Sequence, residues 1–202
     1  MRLLREYIRA LLTEAAMGPA DLPEDVYVAI KPTGGGTKVY YAHEDGTRYK
    51  AEPKNWSVSP RGFVNFTHRS TKCLGANEMI GSDAAQGWGP MLYDIAMELS
   101  GENGLMADRA SLSADAFNVW QYYMNSRGDV QKKQLDTEDN ELTPNDDDNC
   151  GTVTARAHDD AFDDYRSDEK KQALADSPVM KVYTKGPTTI GELESMGRLI
   201  RK

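Results

Sequence analysis

The stretch GSDAAQGWGPMLYDIAME, residues 81–98, decides how the chain is read. Gly87 and Gly89 flank Trp88, and an apolar run follows at once. Met91, Leu92, Ile95, Ala96 and Leu99 recur at the spacing of one helical face, which predicts a helix over 90–100. A helix start leaves backbone N–H groups unpaired and carries partial positive charge. Glycines ahead of it let the backbone approach an anion closely. The segment therefore reads as a phosphate cradle or as a loop feeding a core helix.

Two familiar phosphate motifs do not fit. A Walker A loop requires Gly-Lys-Ser/Thr, which does not follow these glycines. A Rossmann fingerprint requires a third glycine, which is missing, and the region upstream reads as a meander. In that region VYVAI (26–30) and VYYA (39–42) are β-branched and aromatic strand candidates. KPTGGGTK (31–38) and HEDG (43–46) are turns. A third strand takes in Tyr49, another has Phe63 and Phe66 near its centre, and KCLGANEMIG (72–81) leads into the glycine pair.

Downstream, Leu105-Met106 reads as a short strand and 111–126 as a helix. Ser111 or Ser113 caps that helix, with Asp115 in its first turn. Its buried face carries Ala116, Val119, Trp120 and Tyr123. Residues 153–176 read as a charged surface helix, 179–183 as a strand, and 189–200 as a terminal helix capped by Thr188 or Thr189. The order predicts an α/β (α+β) fold, with helices against a mixed, largely antiparallel sheet. The domain reading is an amphipathic helix at 1–14, a linker at 15–25, a core at 26–134, and an acidic loop with a polar, helical C-terminal extension at 135–202.

Composition bounds the function. The chain has 202 residues and a formal net charge of −8. An acidic protein is a poor binder of phosphate backbones, so nucleic acid is not expected as a partner. No run of 18 apolar residues occurs, so no membrane span is expected. Cys73 and Cys150 lie far apart, and the three histidines form no cluster with them, so no metal site is expected. The cysteines are expected to be reduced; one disulfide stays open but the spacing does not indicate it. Residues 135–150 hold seven acidic residues and no basic one. They lack the Asp-x-Asp-x-Asp-Gly spacing of a calcium loop and read as a solvated loop.

At the N-terminus, Leu3, Leu4, Tyr7, Ile8, Leu11 and Leu12 form one apolar helical face, with Arg2, Arg5 and Arg9 off it. The arginines interrupt any continuous apolar region, so a signal peptide is not indicated. The face packs on the domain or serves as a detachable docking helix.

AAQGWGPMLYDIAME (84–98) resembles motif A of the GNAT acetyltransferase superfamily, in which a strand ends in Arg/Gln-x-x-Gly-x-Gly/Ala and a helix begins. The resemblance implies a GNAT-like sheet flanked by helices and acetyl-CoA as cofactor. It implies that Gln86, Gly87, Trp88, Gly89 and Met91 hold the pyrophosphate end, with Asn118 along the pantetheine arm. It implies direct attack of an amine, on a small molecule or a protein, on a thioester held against a splayed strand. Glu78, on the strand entering the motif, is the candidate base, with His68 as runner-up; Tyr123 is the candidate that protonates the thiolate or contacts the pantetheine arm. Three positions depart from the pattern. Ala84 takes the Arg/Gln position, Pro90 removes one N–H, and Trp120 stands where the second helix usually carries tyrosine.

The segment from Gly87 to Val130 also resembles phage proteins described as GNAT-like. The first fourteen residues resemble capsid-targeting peptides of large tailed phages, which a prohead protease cuts after Leu/Ile-x-Glu; here Leu12-Thr13-Glu14 supplies that pattern. These resemblances imply a phage capsid or scaffold as partner of residues 1–14, and a location in host cytoplasm, the phage virion, or both. Two other function classes stand beside the enzyme: a non-catalytic virion or internal head protein with a GNAT-like fold, and a small acidic inhibitor or interaction protein acting on a host target.

Overall fold

The structure, a computed structural model, describes residues 16–49, 62–68, 72–85, 87–151 and 167–202. The N-terminal helix expected over 1–14, with its cleavage site, lies outside the described residues. So do Gln86 and the segment 153–166, the first part of the helix expected over 153–176.

The described residues form a mixed α+β fold. Eight strands are β1 (Tyr27–Thr33), β2 (Gly36–Ala42), β3 (Gly62–His68), β4 (Asn77–Ala84), β5 (Leu105–Met106), β6 (Gln131–Gln134), β7 (Lys181–Thr184) and β8 (Leu199–Arg201). Four helices are α1 (Gly89–Ser100), α2 (Ala114–Ser126), α3 (Ser167–Asp176) and α4 (Thr188–Ser195). The strands make one sheet in the order β6-β7-β5-β4-β3-β2-β1-β8. It is largely antiparallel, as expected, with β1–β8 and β4–β5 as parallel pairs. Among the described residues no helix is long and apolar enough to cross a membrane.

The chain divides into two compact units, and β3 and β4 contribute residues to both. The first takes residues within 1–66, 81–99 and 186–202. Its β1–β2 hairpin keeps full register from Tyr27↔Ala42 to Thr33↔Gly36, so the expected glycine turn shrinks to Gly34-Gly35. Strand alternation splits its apolar residues between two faces. Ala29, Tyr40 and Ala42 cluster on one face with Phe63 and Ile200. Val28, Ile30, Val39 and Tyr41 are buried on the other. The strand expected at Tyr49 reduces to a bridge between Ala42 and Arg48.

The C-terminal segment departs from the expected helix over 189–200. Helix α4 stops at Ser195 because Gly197 takes φ +67, a left-handed value that ends a helix. The chain then returns as β8, with Val28, Ala29 and Ile30 opposite Leu199, Ile200 and Arg201. Neither threonine caps α4 through its own side chain, because the residue at the cap is Pro187. Glu98 on α1 does so instead: its two carboxylate oxygens accept the backbone N–H groups of Thr189 and Ile190, each at 2.8 Å.

The second unit takes residues within 67–80 and 100–185. Its core joins Ala76, Met106, Leu135, Leu174, Met180 and Val182. Trp120 stacks on Tyr183 with ring centroids 5.1 Å apart, and Tyr123 packs on both rings. Ser113 is the cap of α2, accepting the Ala116 N–H at 3.2 Å. Gly104, at φ +73, fits against β7 only because it lacks a Cβ; one placed there would stand 2.4 Å from Val182 Cγ1. The segment expected as an extension thus supplies β7, which lies between β5 and β6, and β8 at the far edge.

One expectation is corrected outright. Cys73 and Cys150 are joined as a disulfide across a sequence separation of 77. Spacing could not reveal it, because the pairing depends on tertiary packing: Cys73 belongs to this unit's core and Cys150 packs against it.

Candidate cofactor turn and buried carboxylate

The glycine pair sits where β4 gives way to α1. Trp88 N–H donates to Ala85 carbonyl at 3.0 Å, closing a turn that needs a left-handed residue. Gly87 supplies it with φ +83, and a side chain there would be strained. The carbonyls of the turn are held by the protein. Gly87 C=O accepts the Met17 N–H at 3.1 Å, and Trp88 C=O accepts the Tyr41 hydroxyl at 2.6 Å. Burial, and then the nearby Asp94 carboxylate, push the Tyr41 phenol well above its ordinary range, so it stays a donor.

The Trp88 ring is 6% exposed and meets Tyr41 edge-on, with centroids 5.0 Å apart. The ring is therefore an anchor in the core. A trans peptide directs N–H and C=O to opposite sides. With Trp88 C=O bound to Tyr41, Gly89 N–H faces away from that hydroxyl. Met91, the other expected cofactor residue here, is buried on the core side of α1 with Leu92 and Ile95. Ala84, at the Arg/Gln position, packs near Gly62 and Gly89.

The remaining expected residues belong to the second unit. Glu78 is 1% exposed, and its Oε1 accepts the Arg109 backbone N–H at 2.6 Å. Arg109 is itself buried. Its guanidinium donates to the carbonyls of Val179 at 2.6 Å and Gly151 at 2.8 Å. Tyr123 is 0% exposed within the aromatic cluster. Asn118 lies on the exposed face of α2. His68 closes β3. The turn residues Gly87, Trp88, Gly89 and Met91 thus share one unit, and Glu78, Asn118 and Tyr123 share the other.

Tyr41, Glu98 and Arg109 were not singled out in the sequence. Tyr41 has a weak signal, a tyrosine pair in VYYA with one ring destined for each face. Arg109 has none, because it lies in an aperiodic break between two elements.

The first unit also holds an open cleft of about 710 Å³ lined by Glu24, Asp25, Tyr27, His43, Glu44 and Asp45. Four carboxylates repel a pyrophosphate, so the cleft is no anion site. Among the described residues no three His, Cys, Asp or Glu side chains are grouped to hold a metal ion.

Compared with known proteins, the chain matches no family model, no curated protein and no solved structure.

Proposed function

We propose that the chain is a GNAT-like N-acyltransferase that moves an acetyl group from acetyl-CoA to an amine by direct attack. One relationship carries the reading. The strand β4 ends in the glycine turn, α1 starts at Gly89, and the next strand, β5, runs parallel to β4 but shares only the register pairs Asn77↔Leu105 and Glu78↔Met106. β4 runs on to Ala84, past its last register pair with β5 at Glu78.

That stretch suits an extended acyl-pantetheine arm. Backbone groups of an extended strand can bond the arm's amides as they would those of a further strand. At the end of the stretch, the start of α1 suits the pyrophosphate.

In the reaction the amine nitrogen forms a bond to the thioester carbon and the carbon–sulfur bond breaks. The amine proton leaves to water, and the thiolate takes a proton from solvent. The side chains first expected to handle these protons have other duties. Glu78, sealed from solvent, holds the Arg109 N–H and so acts as a positioning residue where the strand pair ends. Tyr123 packs the core.

Those same commitments, with Ala84 at the Arg/Gln position, favour a second reading, a GNAT-like protein that no longer catalyses. Thermal unfolding with and without acetyl-CoA, followed by thiol release in the presence of a panel of polyamines and lysine peptides, tests both. A cofactor at one hundred times its dissociation constant adds about 2.7 kcal/mol. Stabilisation with thiol release supports the enzyme. Stabilisation alone supports the second reading. An unchanged unfolding curve at millimolar acetyl-CoA removes the enzyme and leaves the second reading, with its cofactor groove lost.

A further inference from the structure

The disulfide is placed to do more than staple the core. Cys73 and the residue after it, Leu74, both take left-handed conformations, with φ of 59 and 56. Neither is glycine, and neither has a short polar side chain that bonds locally in that region, so the turn is strained. The bond at Cys73 holds the chain in it.

Its partner, Cys150, ends the acidic segment, which is largely closed on itself. The Asp136 carboxylate accepts the N–H groups of Thr137, Leu142 and Thr143 at 2.6, 2.8 and 2.7 Å. Thr143 hydroxyl bonds the Asp148 carboxylate at 2.8 Å, and Asp136 bridges to Asn149. The segment is thus a preformed body. Leu142 and Cys150 tie it to the core cluster. Its seven carboxylates, with no basic residue among them, repel one another and favour opening.

The next residue transmits the state of the bond. Gly151 C=O accepts from Arg109 Nη2 at 2.8 Å, and Arg109 N–H is bound by Glu78 at the end of the β4–β5 pairing.

We propose that the Cys73–Cys150 bond is a redox-operated clasp. Its reduction frees residues 136–151 and, through Gly151 and Arg109, loosens the junction at Glu78. The reductant is a dithiol. Its thiolate attacks the Cys150 sulfur, which is only half-buried, and Cys73 leaves as a thiolate. The second thiol of the reductant then displaces Cys150 and closes its own disulfide. Two electrons and two protons pass to the chain, giving two thiols. The inference rests on contacts within one unit and stands apart from the acyltransfer reading.

Hydrogen exchange on the full chain tests it, comparing the oxidised protein, the protein reduced with dithiothreitol, and the Cys73→Ser/Cys150→Ser double variant. The expected result is at least a tenfold loss of protection at the amides of Leu142, Thr143 and Arg109 on reduction, with the β1–β2 hairpin unchanged. Three results would overturn it. One is unchanged protection at those amides. Another is equal loss of protection in the hairpin, which makes the bond a general staple. The third is a native bond that stays closed in dithiothreitol. Should the double variant fail to fold, the reduced wild-type chain gives the same reading.

Discussion

The Glu78 carboxylate accepts the backbone N–H of Arg109 at 2.6 Å, where β4 and β5 stop pairing. A buried carboxylate bonded in this way holds geometry, and its substitutions separate that duty from catalysis. Glu78→Gln keeps an oxygen for the amide and is expected to cost about 1 kcal/mol; Glu78→Ala leaves a buried N–H without it and costs about 1–3 kcal/mol. Urea unfolding midpoints measure both. If acetyl transfer is observed, Glu78→Gln keeps it within a few-fold with an unchanged pH profile. A general base would lose roughly 10²–10⁴-fold.

Glu98 caps a helix from outside it, with both oxygens on backbone N–H groups of α4. Truncation to alanine leaves those groups unbonded beside buried Ile190 and Leu193. The expected loss is about 1–3 kcal/mol by chemical denaturation. Exchange at the Thr189 and Ile190 amides should rise before exchange in α1. An unchanged midpoint would mean that α4 does not depend on this cap.

Gly104 precedes β5 at a left-handed φ, with Val182, Thr184 and the Tyr183 carbonyl crowding the site of a Cβ. The Gly104→Ala variant combines backbone strain with overpacking against β7. Together these cost roughly 2–5 kcal/mol. The stability of the variant against urea checks this, and a loss below about 1 kcal/mol would mean that β7 shifts readily.

Tyr93 bonds Ser82 at 2.9 Å, and burial pushes its phenol up to about 12. An unfolded tyrosine ionises near 10. The folded state thus favours the neutral phenol. The associated stability is complete below about pH 10 and is lost as pH rises toward 12. The unfolding free energy of wild type minus that of Tyr93→Phe should therefore be flat up to pH 10 and fall by about 2 kcal/mol by pH 12. A difference that stays flat over the whole range would contradict the buried, neutral phenol.

The hairpin, the helix α1 and the short strand β5 were legible in the sequence because each follows a local signal, glycine turns, a 3.6-residue period or a capped boundary. The elements missed were set by partners far along the chain. The strand β6, QKKQ, has no apolar period and exists because it pairs with β7. The LIR of β8 continues a helical pattern, yet Gly197 breaks the helix and β1 recruits the segment as an edge strand. For the site, the turn at 85–88 was visible in Gly87. The fates of Glu78 and Tyr123 were not, since burial of a side chain depends on which elements cover it. The resemblance places Trp88 at the pyrophosphate end; its ring belongs instead to the core beside Tyr41.

The central claim is that the backbone around Gly87–Gly89 and the strand before it receive acetyl-CoA. Backbone amide chemical shifts of the full chain, recorded while acetyl-CoA is added, test it most directly. The account predicts saturable shifts at Gly87, Trp88 and Gly89 and along Gly81–Ala84, with the β1–β2 turn at Gly34-Gly35 unmoved. Amides at the turn and along β4 that stay in place at millimolar acetyl-CoA would contradict it.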